Sequence, residues 1–181
     1  ICARKNSERV PNKNVSLLNG IPLITYTIDA AKKTKIFDNI FVNSDDDRVL
    51  EIAKTNYVDI YKRPKKLGKG NVYVIEVVQD FIKSLKIEKD TIVSILFPTC
   101  PLRNSMDILN AYKIFKRNEF FNPVAAVTEY EYPIDVSLSI NSKNTLYPTF
   151  GYIKSTRHND NKVTYRANYS VMFNTAGILL K

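Results

Sequence analysis

Apolar residues recur along this chain in two rhythms that alternate. Over residues 23–33 they fall at Leu23, Ile24, Tyr26, Ile28, Ala30 and Ala31, and Lys32 and Lys33 close the segment where a helix C-terminus favours cations. This predicts a helix. Residues 39–43 (NIFVN) form a short β-branched and aromatic run, followed by Ser44 at an N-cap position and Asp45, Asp46 and Asp47 in a first turn. A strand and then a helix follow, the helix burying Val49, Leu50, Ile52 and Ala53. The alternation continues with a strand at 58–61, a helix over 72–85 facing inward through Ile75, Val78, Ile82 and Leu85, and a strand at 91–97. Ser105 caps another helix with Ile108, Leu109, Tyr112 and Phe115 inside, a strand covers 123–128, and a last strand is expected over 176–180.

The strand at 91–97 is apolar almost throughout, as expected where helices cover both faces of a sheet. The fold class is therefore α/β, with a mostly parallel, doubly wound, Rossmann-like sheet. Over 129–170 the periodicity weakens, with tyrosines, prolines and polar residues mixed. That stretch reads as an irregular β-rich insertion, and alternating Val136, Leu138 and Ile140 fit a hairpin, an active-site flap or a dimerisation arm equally well.

Composition narrows the class. A length of 181 residues suits one domain spanning 1–181, and the 44% hydrophobic and 25% charged content is globular. No apolar run approaches the roughly 20 residues that cross a bilayer, so no membrane partner is expected. The net charge of +9, from 27 Lys and Arg against 18 Asp and Glu, attracts anions without choosing among them. Several lysines (Lys32, Lys33, Lys83, Lys86, Lys113, Lys116) fall on helix faces that solvent would cover, so a nucleic-acid partner is not expected. Cys2 and Cys100 stand far apart, without metal-ligand spacing, which points to a reducing, cytoplasmic setting and to two buried, unreactive thiols. The sequence opens inside an apolar stretch, Ile1-Cys2-Ala3, with no initiator Met, so the expectation is a domain truncated at both ends.

In open α/β sheets ligands bind at the carboxyl ends of strands, which directs attention to the loops after the first, third and fourth strands. The first loop runs Ala3-Arg4-Lys5-Asn6-Ser7-Glu8-Arg9-Val10-Pro11-Asn12-Lys13-Asn14, rich in fixed cations and small hydrogen-bonding side chains. Phosphoryl transfer is catalysed by positioning and by charge stabilisation, which Arg4, Arg9 and Lys13 can supply. Guanidinium grips phosphate through two bonds while lysine acts as a mobile point charge, so both together suit a triphosphate with a reacting centre. Neither GxxxxGK[ST] nor GxGxxG is present, which lowers kinase, GTPase and NAD-dependent dehydrogenase readings.

ARKNSERVPNKN resembles the opening motif of the acylneuraminate cytidylyltransferases, roughly A-R-x-G-S-K-R-x-P-x-K-N, with Asn6 at the glycine and Glu8 at the lysine. Gly20-Ile21-Pro22-Leu23-Ile24, Phe37-Asp38, the strand end from Val42 to Asp46 and Arg63-Pro64 follow in family order. Pro98-Thr99-Cys100-Pro101-Leu102-Arg103, after Phe97, is similar to the family's Q-P-T-S-P-L-R. The resemblance implies a CTP-dependent nucleotidyltransferase that joins CMP to a nonulosonic, sialic-acid-like sugar with release of pyrophosphate, using Mg²⁺ and acting as a homodimer. It implies nucleotide contacts from Ala3, Arg4, Asn6, Ser7, Arg9, Lys13, Asn14, Arg63 and Asn71, with Lys13 and Arg4 as catalytic charges. It places Thr99, Pro101, Leu102, Arg103 and Asn174 at the acidic nine-carbon sugar.

The sequence departs from the family pattern in three places. Phe97 replaces a glutamine amide, the segment from Gly68 to Tyr73 lacks the small hydroxyl residues usual near cytosine, and the family's D-x-D-type metal motif would fall beyond Lys181. Asp45, Asp46 and Asp47 read as a helix N-terminus rather than as metal ligands, so the metal ligands are unassigned. His158, the only histidine, lies in a polar loop with Arg157, and Arg157, Lys162 and Arg166 compete for the sugar carboxylate. A CMP-Kdo-type synthetase and a non-catalytic nucleotide-binding module are the alternatives. The first is disfavoured because PTCPLR does not look like that group's Q-G-D-E-P turn.

Overall fold

The computed structural model describes residues 1–5, 7, 10–151 and 163–181. Its strands are β1 (Cys2–Ala3), β2 (Leu17–Leu18), β3 (Ile21–Pro22), β4 (Phe41–Ser44), β5 (Asp59–Lys62), β6 (Ile92–Ile95), β7 (Val124–Glu129), β8 (Leu138–Ile140), β9 (Leu146–Pro148) and β10 (Tyr165–Thr175). Its α-helices are α1 (Leu23–Thr34), α2 (Asp47–Thr55), α3 (Val74–Ser84), α4 (Ser105–Arg117) and the short α5 (Ala176–Leu179). The chain divides into two compact units, one of Ile1–Ala126 with Tyr169–Lys181, the other of Val127–Asn168.

In the first unit β1, β4 and β5 form a parallel sheet, with Cys2 opposite Asn43 and Val42 opposite Ile60. The Cys2 N–H donates to the Leu96 carbonyl at 3.3 Å, which brings the end of β6 beside β1. β6 itself pairs antiparallel with β10, Met172 facing Ile95. The expected parallel arrangement is thus joined by a sheet ordered β6-β10-β7, in which β6 and β10 run antiparallel.

Side-chain alternation explains how one sheet serves two helical layers. Ile95 packs with Val78 and Ile82 of α3 and Leu179 of α5, while its neighbour Leu96 packs with Ala30, Ala31, Ile108 and Phe115 of α1 and α4. A third cluster joins Ile24 and Ile28 of α1 to Val42 and to Val49, Leu50 and Ala53 of α2. Helices therefore cover both faces of β6, as its continuous apolar run predicted.

Several boundaries differ from the sequence reading. Ser44 ends β4 instead of capping a helix, and its Oγ accepts from the Asp46 N–H; Asp46 is the N-cap of α2, accepting from the Arg48 N–H. Asn104, not Ser105, caps α4, accepting from the Met106 and Asp107 N–H groups. In α3 the buried face is Val77, Val78 and Ile82, leaving Ile75 and Leu85 partly in solvent. The last segment is a helical turn rather than a strand. β10 already completes the sheet at Thr175, and the Ala176 and Gly177 N–H groups then bond to the Thr91 and Lys89 carbonyls, bending the chain off the ladder.

The second unit contains the β8–β9 hairpin, with Leu138 opposite Pro148 and Ile140 opposite Leu146. Its turn is built by Asn141, whose Oδ1 accepts from the Lys143 and Thr145 N–H groups, and by Asn144 at φ 57°. Most of the 129–170 stretch falls in this unit; residues 152–162, including Arg157, His158 and Lys162, lie outside the described residues.

Candidate active site

At the carboxyl ends of β1, β5 and β6 lies a cleft of ≈ 220 Å³, lined by Cys2, Arg4, Ser7, Lys13, Asn14, Arg63, Leu67, Lys69, Val72, Val74, Val77, Phe97, Pro98 and Thr99. β1 has β4 on one side and the end of β6 on the other, so the cleft sits where strand order reverses, the usual ligand position in an open α/β sheet.

The opening loop is shaped by asparagines. Asn12 sits at φ 55°, a left-handed conformation that asparagine tolerates, and its carbonyl accepts from the Val15 and Ser16 N–H groups to start a short 3₁₀ turn at Lys13–Val15. Its side chain accepts from Arg48 Nη2 at 2.8 Å, while Arg48 also grips Asp46 at 2.7 Å. The Arg48 bonds hold the Asp46 carboxyl below its ordinary range, against burial that pushes it up. Asn14, buried, donates to the Arg4 carbonyl at 2.9 Å. These bonds fix the turn that carries Lys13 and the bend that carries Arg4.

Arg63 is buried at 5% exposure on the cleft wall. Its Nε donates to Asn43 Oδ1 and its Nη2 to the Asn43 carbonyl, both at 2.8 Å. Both partners are neutral, and burial pushes its pKa down while leaving an arginine protonated. A buried guanidinium held by neutral groups projects positive potential into the cleft. Arg4, Lys13, Arg63 and Lys69 give the described lining four cations and no carboxylate, facing an apolar surface of Leu67, Val72, Val74, Val77 and Phe97. Such a cavity suits a polyanion carrying a flat, weakly polar group.

Six residues expected at the site, Arg4, Ser7, Lys13, Asn14, Arg63 and Thr99, line this cleft. Ala3 is buried in the core beneath it. Asn71 is exposed and outside the lining, and Pro101 and the 92%-exposed Leu102 also lie off the cleft. Asn174 is buried on β10 opposite Val93. Arg103 is buried too, donating to the Ser170 and Phe97 carbonyls and to Thr27 Oγ1, which makes it a clamp within the fold. Asn6 and Arg9 are outside the described residues, and Arg166 is exposed on β10 in the second unit. Both cysteines are free and partly exposed rather than buried, and Cys2 reaches the cleft.

Sequence reasoning did not single out Lys69 or the valines of the apolar wall. Lys69 lies in the Gly68 to Tyr73 segment after the third parallel strand, so the rule that ligands meet strand ends would have found it. Val72 precedes α3 and Val74 and Val77 lie in its first turns, whereas the sequence reading put Ile75, Val78, Ile82 and Leu85 on the inner face of that helix.

Fold and site together define an α/β protein with a cation-lined cleft at the carboxyl ends of its strands. The chain belongs to the cytidylyltransferase family, whose model matches residues 1–180, in accord with the opening loop and the PTCPLR turn. It is 35% identical over 150 residues to a pseudaminic acid cytidylyltransferase of Campylobacter jejuni, covering 81% of this chain and 64% of that protein. It is 27% identical over 172 residues to an N-acylneuraminate cytidylyltransferase of Escherichia coli O18:K1:H7, covering 94% of this chain and 40% of that protein. The chain thus spans less than two thirds of either relative's length. In fold it resembles a CMP:2-keto-3-deoxy-manno-octonic acid synthetase solved with CTP, at TM-score 0.72 and 16% identity over 98% of this chain and 73% of that one. Among the described residues no helix is long and apolar enough to cross a membrane.

Proposed function

We propose that this protein transfers CMP from CTP to a nonulosonic acid of the pseudaminic or acylneuraminic kind. The observation that carries the reading is the cleft whose described lining holds four cations and no carboxylate beside an apolar wall, at the strand ends of a cytidylyltransferase-family chain. In this reaction the anomeric hydroxyl oxygen of the sugar attacks the α-phosphorus of CTP. The new bond joins sugar oxygen to α-phosphorus, the bond to the bridging oxygen breaks, and pyrophosphate departs with that oxygen while the hydroxyl proton is lost. Lys13 and Arg4 would neutralise charge on the phosphate oxygens, and Arg63 and Lys69 would extend that field along the triphosphate. Leu67 and Val72 offer the base an apolar surface.

Mg²⁺ belongs to the proposed reaction as the counter-ion of the triphosphate. Among the described residues no group of three or more His, Cys, Asp or Glu side chains is placed to hold a metal ion. Asp46 and Asp47 are bonded to Arg48 and Lys62, and Asp45 accepts from the Lys5 N–H. A cytoplasmic location suits the two free cysteines and the supply of CTP.

The test is pyrophosphate release with Mg²⁺ and CTP against a panel of nonulosonic acids and Kdo, with ATP, GTP and UTP as controls. CTP-specific release with one nonulosonic acid is expected. Release only with Kdo would favour the neighbouring synthetase activity, and CTP binding without release from any pair would indicate a non-catalytic module.

The proposal extends to a homodimer formed through the second unit. On β8 and β9, Leu138, Ile140 and Leu146 share one face and are 51%, 62% and 61% exposed. Such a face is self-complementary under a two-fold axis. Light scattering after gel filtration should give a dimer mass for the parent chain and a monomer mass for Ile140→Asp, with an unchanged far-ultraviolet spectrum. A monomeric parent would refute the dimer.

A further inference from the structure

We infer that Asp45 is a positioning residue that latches together two segments of the cleft, and that Gly68 is glycine to let it do so. The inference rests on the nucleotide reading only in taking CTP as the probe of the cleft. Asp45 stands immediately after β4, and its Oδ1 accepts from the Lys5 N–H at 2.9 Å, next to the bend that presents Arg4. The other side of the same carboxylate is pressed against the turn after β5. A Cβ added at Gly68 would collide with Oδ2 and lie 2.8 Å from Cγ. Gly68 is buried in the 3₁₀ turn Lys65–Gly68, between Leu67 and Lys69, both of which line the cleft.

One short acidic side chain therefore touches the phosphate-facing loop on one side and the turn carrying Lys69 on the other. Its base is firm, because Ser44 closes the β4–β5 ladder and Asp46 caps α2. A second bridge between these segments is the longer bond from Arg4 Nη1 to the Gly70 carbonyl, at 3.4 Å. A carboxylate accepting a backbone N–H is a charge-assisted bond, stronger than a neutral one, so Asp45 sets the spacing of the cations before any ligand arrives.

The two residues form a testable pair. Asp45→Ala removes the latch, and Gly68→Ala drives the carboxylate out of place, so each should raise KM for CTP about tenfold or more, with a smaller change in kcat. Asp45→Asn keeps an oxygen at the Oδ1 position and should stay within about threefold of the parent. In the Asp45→Ala background, Gly68→Ala should cost almost nothing further, because the group it would strike is gone. Hydrogen exchange at the Lys5 amide of the ligand-free chain supplies a readout independent of turnover, and it should quicken in Asp45→Ala and Gly68→Ala but not in Asp45→Asn. Unchanged exchange in Asp45→Ala, or an equal cost of Gly68→Ala in both backgrounds, would overturn the latch. A parent chain that binds no CTP while the exchange pattern holds would instead remove the nucleotide reading and leave the latch standing.

Discussion

Lys13→Ala should lower the rate of pyrophosphate release by about 10²–10³-fold, the usual loss when one preorganised charge-stabilising group is removed from a reacting centre. The side chain is half-buried on the cleft wall, and its backbone does separate work: its carbonyl accepts from the Ser16 N–H at 3.2 Å within the turn that Asn12 nucleates. Alanine preserves that backbone role. The thermal midpoint should therefore stay close to the parent's, since truncation of a partly exposed side chain usually changes stability by only about 0.5 kcal/mol. Arg4, Arg63 and Lys69 remain to hold a triphosphate, so CTP affinity should fall far less than turnover. Lys13→Arg should recover part of the rate, because charge is restored but a planar fork replaces a mobile ammonium. Stopped-flow pyrophosphate release and a CTP titration separate the two quantities. Normal turnover in Lys13→Ala would refute its catalytic role.

The fold was legible where the apolar rhythm was strong. Leu23 through Ala31 and Val49 through Ala53 gave their helices because burial follows the same spacing that the sequence shows. Boundaries shifted where two residues competed for one local job. Ser44 and Asp46 both suit a cap, but the β4–β5 ladder uses Ser44 through its pairing with Lys62, leaving the cap to Asp46. The end of the chain was misread because Ala176 to Leu180 is short and apolar, a pattern that periodicity alone does not divide between strand and helix. Only long-range bonds from Ala176 and Gly177 to the Thr91 and Lys89 carbonyls decide it.

The site was legible through its cations but not through its geometry. Charge and loop position sufficed to select Arg4 and Lys13, and resemblance added Asn14 and Arg63. No sequence rule reveals that Arg63 is held by Asn43, or that Asp45 touches both Lys5, 40 positions before it, and Gly68 in the turn after β5. Resemblance also grouped PTCPLR as one pocket-forming turn. The structure divides it: Pro98 and Thr99 face the cleft, Leu102 faces solvent and Arg103 points into the fold.

That division makes Arg103 the site of the second large effect, one on stability rather than on chemistry. Its Nη1 donates to the Ser170 carbonyl at 2.6 Å and to the Phe97 carbonyl at 3.3 Å, and its Nη2 donates to Thr27 Oγ1 at 2.7 Å. It thereby joins β10, the end of β6 and α1 at 6% exposure, where burial pushes its pKa down because charge is costly to hold there. Arg103→Ala strands buried acceptors and opens a cavity, at a cost of about 3 kcal/mol, offset in part by removing a desolvated cation. For a chain of this length the midpoint should fall by roughly 10 °C. Arg103→Met fills the same space without a buried charge and should lose about half as much. The Phe97 carbonyl is the link to function, since Phe97, Pro98 and Thr99 all line the cleft. Well below its midpoint, Arg103→Met should keep turnover within about tenfold of the parent, the loss reflecting a loosened wall rather than a missing ligand contact. If Arg103→Ala instead melted with the parent and lost turnover, the guanidinium would have to reach the substrate, and its role as a clamp would be wrong.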